Sequence, residues 1–285
     1  MDNQITPAAA ERSEFEGLRD FVSAPDTALR RKLGIAALLL DGGGGCISVL
    51  DDSSSYWTKA LGFGFTQSIT MDLIRQVTDF YREQGAPMAT IQIAPSAIPA
   101  DWDEICAQEG LSANGKRFKV ACETEVALTK SSRGLSTDLR VEPVVSAHAA
   151  EWADVMMHQV FGMPPDDCHT AMTKALVGRR GWYPYAVWAG DHIVAAATMY
   201  ANGETAQFFA GATLVKWRRR GAQTALIAAR AQAAHSAGCR WLVSEVALEK
   251  PGTHNTSLQN LKRMGFEVLY ERTNWTWRAT GAATS

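Results

Sequence analysis

Features that would point straight to a function are scarce in this chain. Its five cysteines, Cys46, Cys106, Cys122, Cys168 and Cys239, are odd in number, and no two lie within ten residues of each other. That spacing argues against a disulfide framework or a CxxC zinc site and fits reduced thiols in a core. No Cys/His cluster has metal-ligand spacing, so no metal is expected. Net charge is only −2, which removes any global electrostatic case for nucleic acid or an anionic membrane as partner. Long apolar runs are missing too. Ile35 to Leu40 is six residues long and ends in Asp41 and four glycines, which reads as a strand entering a turn and is far too short to span a bilayer. A cytoplasmic enzyme or binding protein is the expected setting.

What the chain does have is length and apolar content. With 285 residues, 46% apolar and 20% charged, it has the composition of a globular protein and exceeds one typical domain of roughly 100–150 residues. The clearest linker is Thr129 to Asp138, polar and containing Gly134. The expected layout is an N-terminal helical or extended segment over 1–30, one domain over 31–130 and a second over 139–280.

In the second domain, Leu139 to Val145 reads as a strand. Two helices follow, about 147–160 and 166–178, split by Gly162-Met163-Pro164-Pro165, with Asp166 as a cap for the second. Strands at Tyr185 to Trp188, His192 to Tyr200 and Thr205 to Leu214 are joined by Gly190-Asp191 and by Asn202-Gly203, a preferred hairpin dipeptide. This is an antiparallel meander. The period then changes: Ala222, Ala225, Leu226, Ala229 and Ala233 share one helical face, and Trp241 to Ala247 is again a strand. Strand, loop, helix and strand in that order make a parallel crossover. A last helix over Asn255 to Met264 ends at Gly265, and two short strands are expected to close the domain.

The first half echoes this. A helix at about 70–84 ends at Gly85, the strand Met88 to Ala94 follows, then a helix ending at Gly110, then the apolar segment Phe118 to Leu128. Gly85 to Gly110 is 25 residues and Gly238 to Gly265 is 27, with the same order of elements. A structural duplication accounts for this; two α/β units sharing spacings by chance is the other reading.

The run Lys216-Trp217-Arg218-Arg219-Arg220-Gly221 falls between a strand and a helix. A helix start offers unpaired N–H groups and the positive end of the helix dipole, together an anion site. Gly221 and Ala222 leave room for a phosphate to reach the backbone, and the arginines add bidentate donors. A pyrophosphate is the expected guest. A solvated basic patch or a nucleic-acid contact is the plainer reading.

These residues resemble the GNAT (GCN5-related N-acetyltransferase) superfamily, whose coenzyme A loop reads Arg/Gln-x-x-Gly-x-Gly/Ala. Arg218 and Gly221 match its first two fixed positions. Gln223 stands at the third, and RRRGAQTALI looks like a variant of that loop. The order of elements over 139–278 is the family's, and Ser257-x-x-Asn260-Leu261-x-Arg263-x-Gly265-Phe266 resembles a variant of its last helix. Residues 33–128 resemble it only weakly. Gly62-Phe63-Gly64-Phe65-Thr66 there lacks arginine, so the first half looks like a degenerate copy without the pyrophosphate cradle.

The resemblance implies a mixed α/β fold with two GNAT-like domains in tandem and an acetyl-CoA-dependent N-acetyltransferase acting on a primary amine of a small molecule or peptide. Ala212, Thr213 and Leu214 would offer backbone groups to pantetheine. Arg218, Arg219, Arg220, Gly221, Ala222, Gln223 and Thr224 would hold the pyrophosphate. Asn255, Ser257 and Asn260 would lie near the pantetheine or its thiol, although Asn255 equally reads as a helix cap. An amine with a pKa near ~10.4 must lose a proton before attack. Glu245, which interrupts the apolar strand LVSEVAL, is the first base considered, and His254 the second. Many members carry a tyrosine four residues before the glycine that ends the last helix. Leu261 stands there, and Tyr270 on the following strand is the nearest tyrosine after it. A non-catalytic acyl-CoA sensor and an enzyme using a longer acyl chain or an O-acceptor are the alternatives. The resemblance leaves a homodimer open, with no nucleic acid or membrane partner expected.

Overall fold

Thr6 and Pro7 start the first helix. The Thr6 hydroxyl accepts the Ala9 N–H at 3.2 Å, and proline fits the first helical position because no N–H is needed there. The structure is a computed structural model that describes residues 4–132, 137–164, 167–248 and 255–279. Helix α1 (Pro7–Ser23) leads to α2 (Thr27–Lys32), capped by Asp26. The hairpin β1 (Ile35–Leu39) and β2 (Gly45–Val49) turns through the glycine run. A Cβ on Gly44, at φ +74, would sit 2.3 Å from the Gly62 carbonyl carbon, so a side chain there is excluded by space as well as by backbone. Strand β3 (Lys59–Leu61), helix α3 (Met71–Gln84), strand β4 (Met88–Gln92), helix α4 (Trp102–Glu109) and the long strand β5 (Leu111–Glu123) follow.

Next come α5 (Thr124–Ser131), β6 (Arg140–Pro143) and α6 (Ala149–Asp154), which runs on as a π-helical stretch over Val155–Val160, then α7 (Asp167–Lys174). The expected cap Asp166 lies outside the described residues. Strands β7 (Tyr185–Ala189), β8 (His192–Asn202) and β9 (Thr205–Thr213) form the meander. Helix α8 (Ala222–Ser236), strand β10 (Trp241–Ala247), helix α9 (Thr256–Arg263) and strand β11 (Glu267–Arg278) complete the chain.

Contacts divide the chain into two compact units, Met1–Phe118 with Tyr270–Ser285, and Lys119–Leu269. The division expected from the linker, 31–130 and 139–280, therefore differs at both edges. Within the first unit the strand order is β1-β2-β3-β4-β11-β5. The β3–β4 pair is parallel and the β4–β11 pair antiparallel, with Asn274↔Gln92 to Arg278↔Met88 in register. Its core is built from Ile74, Val77 and Tyr81 of α3 against Ile91, Ile105 and Trp277. Within the second unit the order is β5-β10-β9-β8-β7-β6, antiparallel from β6 to β9 and parallel from β9 to β10.

Three local expectations need correction. Residues 124–131, read as the end of an apolar segment and the start of a linker, form helix α5. The β ladder stops where Thr124 turns its N–H to the Arg240 carbonyl and its hydroxyl to the Cys239 carbonyl, and a short apolar run does not fix its own period. The two short closing strands are one twelve-residue strand, β11, which contains no Gly or Pro to turn it. Strands β2 and β3 were not anticipated, being short and embedded in Gly- and Ser-rich sequence. All five cysteines are buried, and none forms a disulfide.

Candidate active site

Strands β9 and β10 begin side by side and then part. Their parallel pairing covers Trp241↔Thr205, Leu242↔Ala206 and Val243↔Gln207 and goes no further. Beyond it β9 continues to Thr213, still paired to β8 on its other side as far as Thr213↔Ala195, while β10 continues to Ala247. Phe208 to Thr213 and Ser244 to Ala247 thus line a gap in which β9 and β10 do not pair. Backbone groups on such unpaired edges are available to an extended guest.

At the end of β9 the chain makes one 3-10 turn over Val215–Trp217 and enters α8. Arg219 has φ +64 and Gly221, the residue capping the helix, has φ +77. Gly221 supplies no capping side chain, and the first-turn N–H groups of Ala222, Gln223 and Thr224 find no acceptor among the described residues. Four N–H groups at a helix start need partners from somewhere. Here three exposed arginines, Arg218, Arg219 and Arg220, immediately precede them in the chain. Arg218 Nε donates to the Thr213 carbonyl at 3.4 Å. Arg220 stacks over Trp217 with its guanidinium carbon 4.6 Å from the ring centroid, and it ion-pairs with Asp138. An anionic group fits this end on both backbone and charge.

The corresponding helix of the first unit starts differently. Thr70 caps α3, its hydroxyl accepting the Leu73 N–H at 3.2 Å, and Asp72 puts a carboxylate in the first turn. That end has a side-chain cap on one of its N–H groups and a carboxylate beside it that repels an anion.

Gln223 at the third fixed loop position does not extend from the loop. Its Nε2 donates to Thr213 Oγ1 at 2.8 Å, and its Oε1 lies 2.6 Å from where a Cβ on Gly211 would be. The absent side chain of Gly211 is what lets Gln223 lie across β9. Ala212 is fully buried, Thr213 nearly so, and Leu214 is half-buried, its N–H donating to the Val194 carbonyl at 3.0 Å.

Glu245 lies in the unpaired part of β10 and is half-buried. Asn255 caps α9. Its Oδ1 accepts the Leu258 N–H at 3.1 Å, and its Nδ2 donates to the Ala247 carbonyl, tying the end of β10 to the start of α9. Ser257 is exposed, and Asn260 accepts from Arg263 Nη1 at 3.3 Å. Leu261 is core. His254 lies outside the described residues. Tyr270 belongs to the first unit and is not among the residues gathered at this loop. Its hydroxyl donates to Glu11 Oε1 at 2.8 Å, in a buried network where Arg272 pairs with Glu11 and, at 3.0 Å, with Glu14. Burial, and after it the Glu11 carboxylate, push its phenol well above the usual range.

Two features escaped the sequence reading. Asp138, placed in the linker, is the partner of Arg220. Arg230, within the alanine-rich helix, is 3% exposed and donates to backbone carbonyls of β8 and β9. Its signal was an arginine four residues after Leu226, bordering the apolar face. Among the described residues no group of His, Cys, Asp and Glu could hold a metal, and no helix is long and apolar enough to cross a membrane.

Residues 116–244 match the sequence model of the family described as acetyltransferase (GNAT) domain. No curated protein matches the chain by sequence. Solved structures share its fold at low identity. A functionally unknown conserved protein from Staphylococcus epidermidis ATCC 12228 is 12% identical over 90% of this chain and 99% of its own, with a TM-score of 0.59. A GCN5-related N-acetyltransferase from Kribbella flavida is 13% identical over 92% and 96%, with a TM-score of 0.58. A tandem GNAT protein from the clavulanic acid biosynthesis pathway is 15% identical over 96% and 98%, with a TM-score of 0.56. Residues 116–244 thus match the GNAT domain, and the chain as a whole shares, almost end to end, the fold of a tandem GNAT protein.

Proposed function

We propose that the chain is an N-acetyltransferase that binds acetyl-CoA in its second unit and transfers the acetyl group to a primary amine of a small molecule or peptide. The observation that carries this is the uncapped start of α8, with its three exposed arginines, at the end of a strand that has parted from its neighbour. The loop N–H groups and arginines would hold the pyrophosphate, and the unpaired edges of β9 and β10 would take the pantetheine arm. The match of residues 116–244 to the GNAT domain supports an acyl-CoA donor. The reaction joins the amine nitrogen to the thioester carbonyl carbon and breaks the carbon–sulfur bond. The amine proton must go to a base, and Glu245, in the unpaired part of β10, is our assignment for it, directly or through a water. A leaving thiolate with a pKa near ~8.5 needs no strong acid. That suits a site with Leu261 where many members carry a tyrosine.

The test is thermal stability with and without CoA and acetyl-CoA, for the wild type and for Arg218→Ala combined with Gly221→Glu. At a hundred times its dissociation constant, a ligand of the folded state adds about 2.7 kcal/mol. A rise in melting temperature in the wild type only is the expected outcome. It is followed by a screen of primary amines with thiol detection, in which Glu245→Gln should lower kcat. If neither protein responds to the ligands, the reading fails.

A further inference from the structure

Strand β9 carries an irregularity inside its unpaired stretch. Its register with β8 runs from Asn202↔Thr205 to Thr198↔Phe209 and resumes at Ala197↔Gly211, which leaves Ala210 without a partner. Ala210 has φ +42, a conformation that its Cβ disfavours. A bulge of this kind interrupts the alternation by which successive backbone groups face opposite neighbours. On the edge facing the gap, it decides which groups of Phe209 to Ala212 are presented there. A strained residue beside a binding gap needs something to hold it.

Arg230 of α8 is placed to do so. Its Nη1 donates to the Thr198 carbonyl at 3.2 Å and to the Phe209 carbonyl at 3.5 Å, which are the two residues of the last regular pair before the bulge. Its Nε donates to the Leu226 carbonyl at 3.1 Å, and its guanidinium carbon lies 4.1 Å from the Phe208 ring centroid. Among the described residues no carboxylate pairs with it. Burial pushes this guanidinium down to about 9. Packing at such a site would be served as well by an apolar side chain. What arginine adds is a rigid fork of donors that reaches several carbonyls at once.

We infer that Arg230 is a positioning residue for the thioester: by gripping the Thr198 and Phe209 carbonyls it keeps Ala210 in the left-handed conformation and so fixes the backbone groups that β9 offers to the acyl group. This rests on the acetyltransferase reading above. Misplacement of reacting groups by about an ångström lowers rates by up to roughly 100-fold.

The experiment measures CoA affinity by calorimetry, and thiol release from acetyl-CoA with a panel of primary amines, for the wild type, Arg230→Lys, Ala210→Val, Ala210→Gly and the Arg230→Lys/Ala210→Gly double variant. Arg230→Lys should lower kcat roughly 10- to 100-fold with CoA affinity within about two-fold of wild type. Glycine enters the left-handed region unaided, so the double variant should recover several-fold of that loss; a purely packing role for Arg230 would gain nothing from it. Ala210→Val, β-branched at positive φ, should reproduce the kcat loss with Arg230 intact, which decides the matter even if Arg230→Lys does not fold. A wild-type kcat in Ala210→Val, an equal fall of kcat and CoA affinity in Arg230→Lys, or no recovery in the double variant each overturns the inference. A wild type that binds CoA and releases no thiol with any amine leaves no thioester step to position, and this inference falls while the coenzyme site stands. A wild type that does not bind CoA sinks the acetyltransferase reading first.

Discussion

Tyr270 shows how far one side chain's surroundings can move it from an expected role. Its phenol donates to Glu11, and burial together with that carboxylate raises its pKa. In an unfolded chain a phenol titrates near ~10. Above that pH the unfolded state loses a proton that the folded state keeps, so stability falls as pH rises; below it the contribution is complete. Buried thiols act in the same direction, with Cys46 and Cys122 pushed up to about 12 and Cys106 to about 11, chiefly by burial. Tyr270→Phe should therefore flatten the alkaline limb of stability above about pH 10, read from urea midpoints, while lowering stability near neutrality by about 1 kcal/mol for the lost hydrogen bond. An unchanged alkaline limb would rule the phenol out as its source. At this scale the sequence was partly legible. Asn255 as a cap could be read because the cap lies next to its helix. The fate of Gln223 could not, because it depends on the missing side chain of Gly211, twelve residues away and on another element.

Two helix starts of similar setting end up with opposite chemistry. Helix α3 begins with a threonine cap and an acidic first turn, and α8 begins with a glycine and three arginines. The arginines of one start and their absence from the other were legible, since those residues are consecutive; the Thr70 cap and Asp72 were not read. Thr70→Ala should cost about 1 kcal/mol of stability, as loss of a cap typically does, and leave CoA affinity where it was. Chemical denaturation and calorimetry read the two effects separately. At α8 the ion pair of Arg220 with Asp138 is half-exposed to exposed and competes with any anion for that guanidinium. Exposed pairs contribute at most about 1 kcal/mol, so Asp138→Asn should leave stability nearly unchanged. It should also tighten CoA binding, by up to roughly five-fold at low ionic strength, and this gain should shrink as salt screens the site. Weaker binding in this variant would mean that Asp138 orients Arg220 for the ligand and does not withhold it. That β9 would offer backbone groups to a guest was expected only through the family resemblance. Nothing in LVSEVAL or TAQFFAGAT announces where pairing stops, because parting is a relation between two strands.

The whole chain is organised by where its strands go. Regular spacings of helix-ending glycines made the duplication readable, and the tandem fold agrees with it. The linker, by contrast, was a poor guide to the contacts, since composition marks where a chain is polar and not which sheet a distant strand enters. Residues Tyr270–Ser285 belong with Met1–Phe118. Within that unit β11 pairs with β4 through five residues, Trp277 is 2% exposed in the core, and fully buried Arg272 compensates Glu11 and Glu14, themselves 1% and 4% exposed. A chain ending at Leu269 would lose all three at once. Strand β4 would keep an unpaired edge, the space of a tryptophan would open in the core, and two carboxylates would lie buried without their cation. Truncating a buried tryptophan alone costs about 3–5 kcal/mol, and breaking a buried ion pair costs about as much again. Their sum, about 6–10 kcal/mol before the lost strand pairing is counted, is comparable to the stability of a typical domain, about 5–15 kcal/mol. The truncated chain should therefore leave its first unit unfolded, with protease cuts concentrated within residues 4–118. Arg272→Met should weaken the same unit while keeping it folded, because methionine fills the space even though Glu11 and Glu14 lose this cation. Protection of 4–118 in the truncated chain would mean that the first unit is complete without its last strand.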